Sequence, residues 1–151
     1  MTTTLQISID CADPAVLVPF WATALGYREE EPPAGFATWR AYWISIGVPE
    51  DELGDPSNSC ADSLVDPTGA GPRIFFQIVP EAKTIKNRLH LDLKVGGGRD
   101  VPLETRTSRV NAEAERLVAA GATKVRVLSQ DGLDHYGVTL QDPEGNEFCV
   151  A

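Results

Sequence analysis

Two stretches decide the reading of this chain: Leu5-Gln6-Ile7-Ser8-Ile9-Asp10 and Leu89-His90-Leu91-Asp92-Leu93-Lys94. Each alternates strictly between apolar and polar or ionisable residues, the period of a strand with one buried face. Each is followed by a stretch of helical spacing that stops at a glycine, Gly26 in the first copy and Gly121 in the second. Each half also places an Asp-Pro-x-Gly turn before a terminal apolar strand, Asp66 to Gly69 and Asp142 to Gly145. A strand–helix–strands unit stated twice implies two similar modules. Gln6 and His90 are then counterparts.

Outward from the first stretch, Asp13-Pro14 is a helix start, with Asp as N-cap and Pro at the first helical position. The helix runs on through Val16, Leu17, Phe20, Trp21, Ala24 and Leu25 to its glycine stop. Tyr27 to Glu31 reads as a short edge strand. Past the Pro32-Pro33-Ala34-Gly35 turn, the aromatic and β-branched residues of Ala37 to Ile46 read as a hairpin strand. Val48 to Pro72 is irregular and rich in Pro, Gly, Asp and Ser, so it is either the rim of a binding site or a plain excursion. Arg73 to Val79 closes the first half.

In the second half Arg88 to Val95 is the opening strand, broken by Gly96-Gly97-Gly98, which lacks the spacing of a phosphate loop. Thr105 to Ala120 has helical spacing. Thr123 to Leu128, Tyr136 to Gln141 and Glu147 to Val150 complete the strands. The order βαβββ, stated twice, predicts an α+β domain spanning 1–151. Its tandem modules, about 1–80 and 88–151 with connector 81–87, are expected to form one curved, partly open mixed sheet with helices outside.

Composition bounds the function. The chain has 151 residues, enough for one domain with a real core, and its 42% hydrophobic and 23% charged content is that of a soluble globular protein. A net charge of −9 argues against nucleic acid as partner, because phosphate binding needs a basic face. The acidic runs Glu29-Glu30-Glu31 and Glu50-Asp51-Glu52 read as solvated surface. No apolar run is long enough to span a bilayer and the amino terminus has no basic leader, so the expected compartment is the cytoplasm, away from membranes. Cys11, Cys60 and Cys149 lack metal-type spacing and read as reduced thiols.

Helices covering one side of the sheet would take Ile7, Ile9, Leu91 and Leu93. That leaves Gln6, Ser8 and Asp10, with His90, Asp92 and Lys94, on the other face. Burying such groups dry costs roughly 2–7 kcal/mol each when unpaired. Either water fills a concavity or the groups serve a ligand.

At this point the chain resembles the vicinal oxygen chelate superfamily of glyoxalases, extradiol dioxygenases and bleomycin- or fosfomycin-resistance proteins, and within it the glyoxalase-like domain proteins. The residues that carry this are Asp13-Pro14, Phe20-Trp21 and Ala24-Leu25-Gly26-Tyr27, then Lys86-Asn87-Arg88-Leu89-His90-Leu91-Asp92, then Asp142-Pro143-Glu144-Gly145-Asn146-Glu147-Phe148-Cys149. The resemblance implies the paired βαβββ fold and a small-molecule cavity between the modules. It also implies a homodimer and, in catalytic members, a divalent metal on inward positions of opening and closing strands. Carried over by position, the ligands would be Gln6, Gln77, His90 and Cys149, for zinc, nickel, iron or manganese. Cys149 stands where a ligating carboxylate is expected, so this set departs from the pattern of the catalytic members.

Three functions remain open. The first is a small-molecule-binding protein without a full metal site, its ligand met by Gln6, Ser8, Asp10, Trp43, Gln77 and Tyr136, with His90 and Asp92 as candidate catalytic groups. The second is a metal-dependent lyase, isomerase or dioxygenase acting on vicinal oxygens. The third is a structural module with a filled cavity. Lys83, Lys86 and Arg88 either draw an anionic group or pair with surface acids or with a partner subunit. Trp39 and Trp43, placed on one face of their strand with Tyr42 on the other, form either a platform for a flat ligand or a core or interface. His135 and Tyr136 start a strand at the cavity mouth.

Overall fold

The computed structural model describes residues 3–53 and 61–151. Cys60 lies outside them, as does part of the irregular Val48 to Pro72 stretch. The chain divides into two compact units, Met1–Pro80 and Glu81–Ala151. Unit 1 contains β1 (Gln6–Cys11), α1 (Pro14–Leu25), β2 (Arg28–Glu29), α2 (Trp39–Ser45), β3 (Ser63–Val65) and β4 (Arg73–Ile78). Unit 2 contains β5 (Asp92–Leu93), α3 (Leu103–Ala119), β6 (Thr123–Ser129), β7 (Tyr136–Gln141) and β8 (Glu147–Val150). The sheet orders are β1-β4-β3-β2 and β5-β8-β7-β6, the same first-fourth-third-second arrangement. In both, the first strand pairs parallel with the last and the remaining pairs are antiparallel. This is the duplicated βαβββ fold of an α+β protein.

Local chemistry explains the first helix. The Asp13 carboxylate accepts the Ala15 N–H at 2.9 Å, Pro14 opens the helix, and Gly26 ends it at φ 67°. Its inner face, Leu17, Val18, Phe20, Trp21 and Ala24, is buried, and the helix packs on β3 and β4, whose Leu64, Ile74 and Phe76 are buried too. Val18, not Val16, carries the stripe; Val16 is exposed. Each of these larger side chains stabilises the fold by about 1.5–3 kcal/mol when withdrawn from water. In unit 2, α3 buries Val110, Ala114 and Leu117 at i, i+4, i+7 spacing. It packs on β7 and β8, where Val138, Leu140, Phe148 and Val150 are buried.

The stretch Ala37 to Ile46 corrects the expectation of a strand, because Trp39–Ser45 is helical. Thr38 caps it, its hydroxyl accepting the Ala41 N–H at 3.1 Å. The i, i+3, i+4 spacing of Trp39, Tyr42 and Trp43 joins their rings on one helix face, with Trp39 and Trp43 stacked at 5.6 Å and 24°. Composition favoured a strand and periodicity a helix, and periodicity won. The missing strand of unit 1 is β3, inside the stretch that reads as loop.

The second correction concerns Arg88 to Val95. Only Asp92–Leu93 is strand, and Leu89 is 88% exposed. The residues before it follow an irregular path tied to β8 by side-chain bonds.

Candidate functional site

Strand register sorts the open face of unit 1. Cα partners across β1 and β4 are Gln6 with Arg73, Ser8 with Phe75 and Asp10 with Gln77, so all six share one face. Ser63 joins them through its pairing with Phe75. Gln6, Ser8, Asp10 and Gln77 are exposed, while the opposite rows Ile74 and Phe76 are buried. The polar side that alternation assigns to β1 is therefore exposed within unit 1.

Arg73, which the sequence reading passed over, organises it. Its Nη1 donates to the Gln6 side-chain oxygen at 2.8 Å, its Nε donates to Glu30 Oε2 at 2.7 Å, and its Nη2 lies 2.6 Å from that oxygen. The buried Ser63 hydroxyl donates to the same carboxylate at 2.9 Å. The guanidinium also lies over the Phe75 ring, 5.7 Å from its centroid. Burial alone would raise the Glu30 carboxyl, but the hydrogen bonds from Arg73 and Ser63 and the Arg73 charge outweigh it and hold the group below its ordinary range. At neighbouring Asp62 burial prevails over the Ser63 hydrogen bond, and the carboxyl is raised. Glu30 is thus not plain solvated surface. The period-2 row Arg73, Phe75, Gln77 was the signal available for Arg73; nothing local announced Glu30.

The α2 aromatic cluster attaches at this edge, Trp39 Nε1 donating to the Glu30 carbonyl at 2.8 Å. None of its residues is buried. Trp43 belongs to this helical cluster and not to a strand face.

In unit 2 the open face carries a row from Asp92 through Cys149 to Thr139. The half-buried Cys149 thiol lies 3.7 Å from the Thr139 hydroxyl, and Asp92 pairs loosely with Lys94 at 3.5 Å. His90 precedes the strand and is exposed. Tyr136 does not join them: it falls in the Val138–Leu140 row, and its hydroxyl donates to Asn111 of α3 at 2.7 Å. It serves the helix-covered face.

Glu147 controls the path that delivers His90. Its Oε2 accepts the Asn87 N–H at 3.0 Å and the Lys83 ammonium at 3.1 Å, and Asn87 Nδ2 donates to the Glu147 carbonyl at 3.4 Å. The ammonium also donates to the Ile85 carbonyl. The Asn87 hydrogen bond, seconded by Lys83, outweighs desolvation and lowers the Glu147 pKa to about 2. Lys83 is therefore a structural cation. Beyond the pinned backbone, Ile85, Lys86, Asn87, Arg88 and His90 line an open cavity of about 630 Å³.

These donors do not fit a hard divalent ion. Gln6 and Gln77 stand four residues apart along the paired strands, roughly 13 Å at strand rise. The Gln6 oxygen is already engaged by a guanidinium, whose charge opposes a cation beside it. The remaining donors of the set, an imidazole and a thiol, suit zinc better than manganese. Among the described residues no three His, Cys, Asp or Glu side chains group as a metal site.

A family model described as "Glyoxalase-like domain" matches residues 6–151. A glyoxalase/bleomycin resistance/dioxygenase family enzyme from Burkholderia phytofirmans PsJN has a similar fold, with TM-score 0.56, 17% identity and coverage of 96% of this chain and 94% of that one. A mutant of the fosfomycin resistance protein FosX from Listeria monocytogenes, complexed with Mn(II) and 1S,2S-dihydroxypropylphosphonic acid, is similar at TM-score 0.59 and 11% identity, covering 99% and 90%. TioX from Micromonospora sp. ML1 gives TM-score 0.50 and 15% identity, covering 99% and 97%. No curated protein matches the sequence.

Proposed function

The chain belongs to the glyoxalase-like domain family of the vicinal oxygen chelate superfamily, and we propose that it binds a small molecule at an open polar sheet face without a resident catalytic metal. The observation that supports this is the Arg73 guanidinium on the Gln6 oxygen, a cation where a metal enzyme of this fold needs a free ligand. Ser8, Asp10 and Gln77 remain exposed beside that clamp and are available to a ligand's polar groups. Phe75 and the α2 rings supply flat apolar surface at its margin. In unit 2, the exposed His90 and Asp92 are the candidate catalytic groups, and the half-buried Cys149 lies between Asp92 and the buried Thr139 on the same face. A homodimer is part of the same proposal, checked by sedimentation.

The manganese held by the Listeria protein is the specific observation favouring the alternative, a metal-dependent lyase, isomerase or dioxygenase. Elemental analysis of protein purified without chelator, together with His90→Ala, separates the two. The expected result is metal far below one ion per chain, unchanged in the variant, with ligand-induced thermal shifts insensitive to EDTA. One ion per chain that disappears in His90→Ala overturns the proposal.

A further inference from the structure

We propose that the cavity lined by Lys86, Arg88 and His90 is an oxyanion site, which accepts a carboxylate or phosphate group of a small molecule. The inference deepens the binding function proposed above by giving the ligand a charge, and it rests on that reading for the existence of a ligand.

The first support is charge. In a chain of net charge −9, two of the residues lining this cavity are cationic and none is acidic. Among the described residues neither Lys86 nor Arg88 has an ion-pair or hydrogen-bond partner. Arg28, Arg99, Arg109, Lys124 and Arg126 make no ion pair either, but none of them lines this cavity, where two cations fall together. Neighbouring Lys83 is neutralised by Glu147, so that carboxylate is already committed. An Arg can fork onto a carboxylate or phosphate while a Lys supplies a point charge, and Asn87 and His90 add polar edges.

The second support is pre-organisation. The segment is not regular structure, yet its backbone is fixed to β8 at Ile85 through Lys83 and at Asn87 through Glu147. A loop already held in place loses less freedom when it binds. The cavity is open to solvent, so the anionic group can belong to a larger molecule, with the exposed Ile85 offering apolar surface beside it.

The test is an amide NMR titration with inorganic phosphate and, separately, with malonate, at low ionic strength. The expected result is saturable shifts centred on residues 85–90 and an affinity about five- to tenfold weaker in Arg88→Gln and Lys86→Gln. Lys124→Gln, on β6, should titrate like the unaltered protein. Preference for phosphate over malonate, or the reverse, identifies the group. Shifts scattered over all cationic side chains alike, no saturation, or an unaltered affinity in both cavity variants overturns the site. That failure leaves the metal content untouched, so it is distinguishable from failure of the binding function, which shows as a stoichiometric ion.

Discussion

At Arg73 the donors of one guanidinium are divided between the Gln6 amide and the Glu30 carboxylate, which joins β1, β4 and the end of β2. Arg73→Leu strips Glu30 of its main partner while Ser63 alone still holds it, so a loss of about 1–3 kcal/mol is expected by urea unfolding. A change below about 0.5 kcal/mol would refute the role of the clamp. The pH dependence has a definite sign. Glu30 is depressed in the folded state, so its contribution is present above the ordinary carboxylate range and fades as pH falls below it. Arg73→Leu should flatten that acid limb. Glu147 makes the sharper case, with a folded value of about 2 against an ordinary 4.5. Its stabilisation is complete above about pH 4.5 and is lost on acidification toward pH 2. Glu147→Gln should lower stability at pH 7, equalise with the parent near pH 2, and broaden the amide signals of residues 83–90; equal stability at both pH values would exclude the latch.

Among elements, the turn between β3 and β4 is set by close approach. A Cβ on Gly71 would fall 1.9 Å from the Tyr27 hydroxyl and 3.1 Å from the Asp66 carboxylate. Asp66 also accepts the Gly71 N–H at 2.7 Å and bonds Thr68, which fixes the internal shape of the turn. Gly71→Ala is expected to cost about 1–3 kcal/mol through overpacking. Tyr27→Phe, which deletes the obstructing oxygen, should recover part of that loss in a double-mutant cycle. Strict additivity of the two changes, measured by thermal unfolding, would show that the contact is not the cause. The helix α2 teaches a different lesson. Its seven residues bury nothing fully, so no buried stripe marks it, and the one-sided ring spacing and the Thr38 cap distinguish it from a strand.

For the whole molecule, duplication is what makes the sequence readable. Alternation in β1, the capped α1, the stripe of α3 and the three strands that follow are all local signals, and local signals determined that two βαβββ modules form. Among the described residues no helix is long and apolar enough to cross a membrane. The polar row Gln6, Ser8, Asp10 was legible for the same reason, since period-2 alternation alone assigns a face. Tertiary structure alone decided the rest. Glu30 meets Arg73 from 43 residues away, and Glu147 meets Asn87 from 60, so no window of sequence contains either pair. Leu89 follows the strand pattern yet stands exposed, because side-chain bonds to β8, not alternation, set its path. Periodicity reports which way a side chain points from its own backbone; which distant group it finds there is settled only when the sheet registers close.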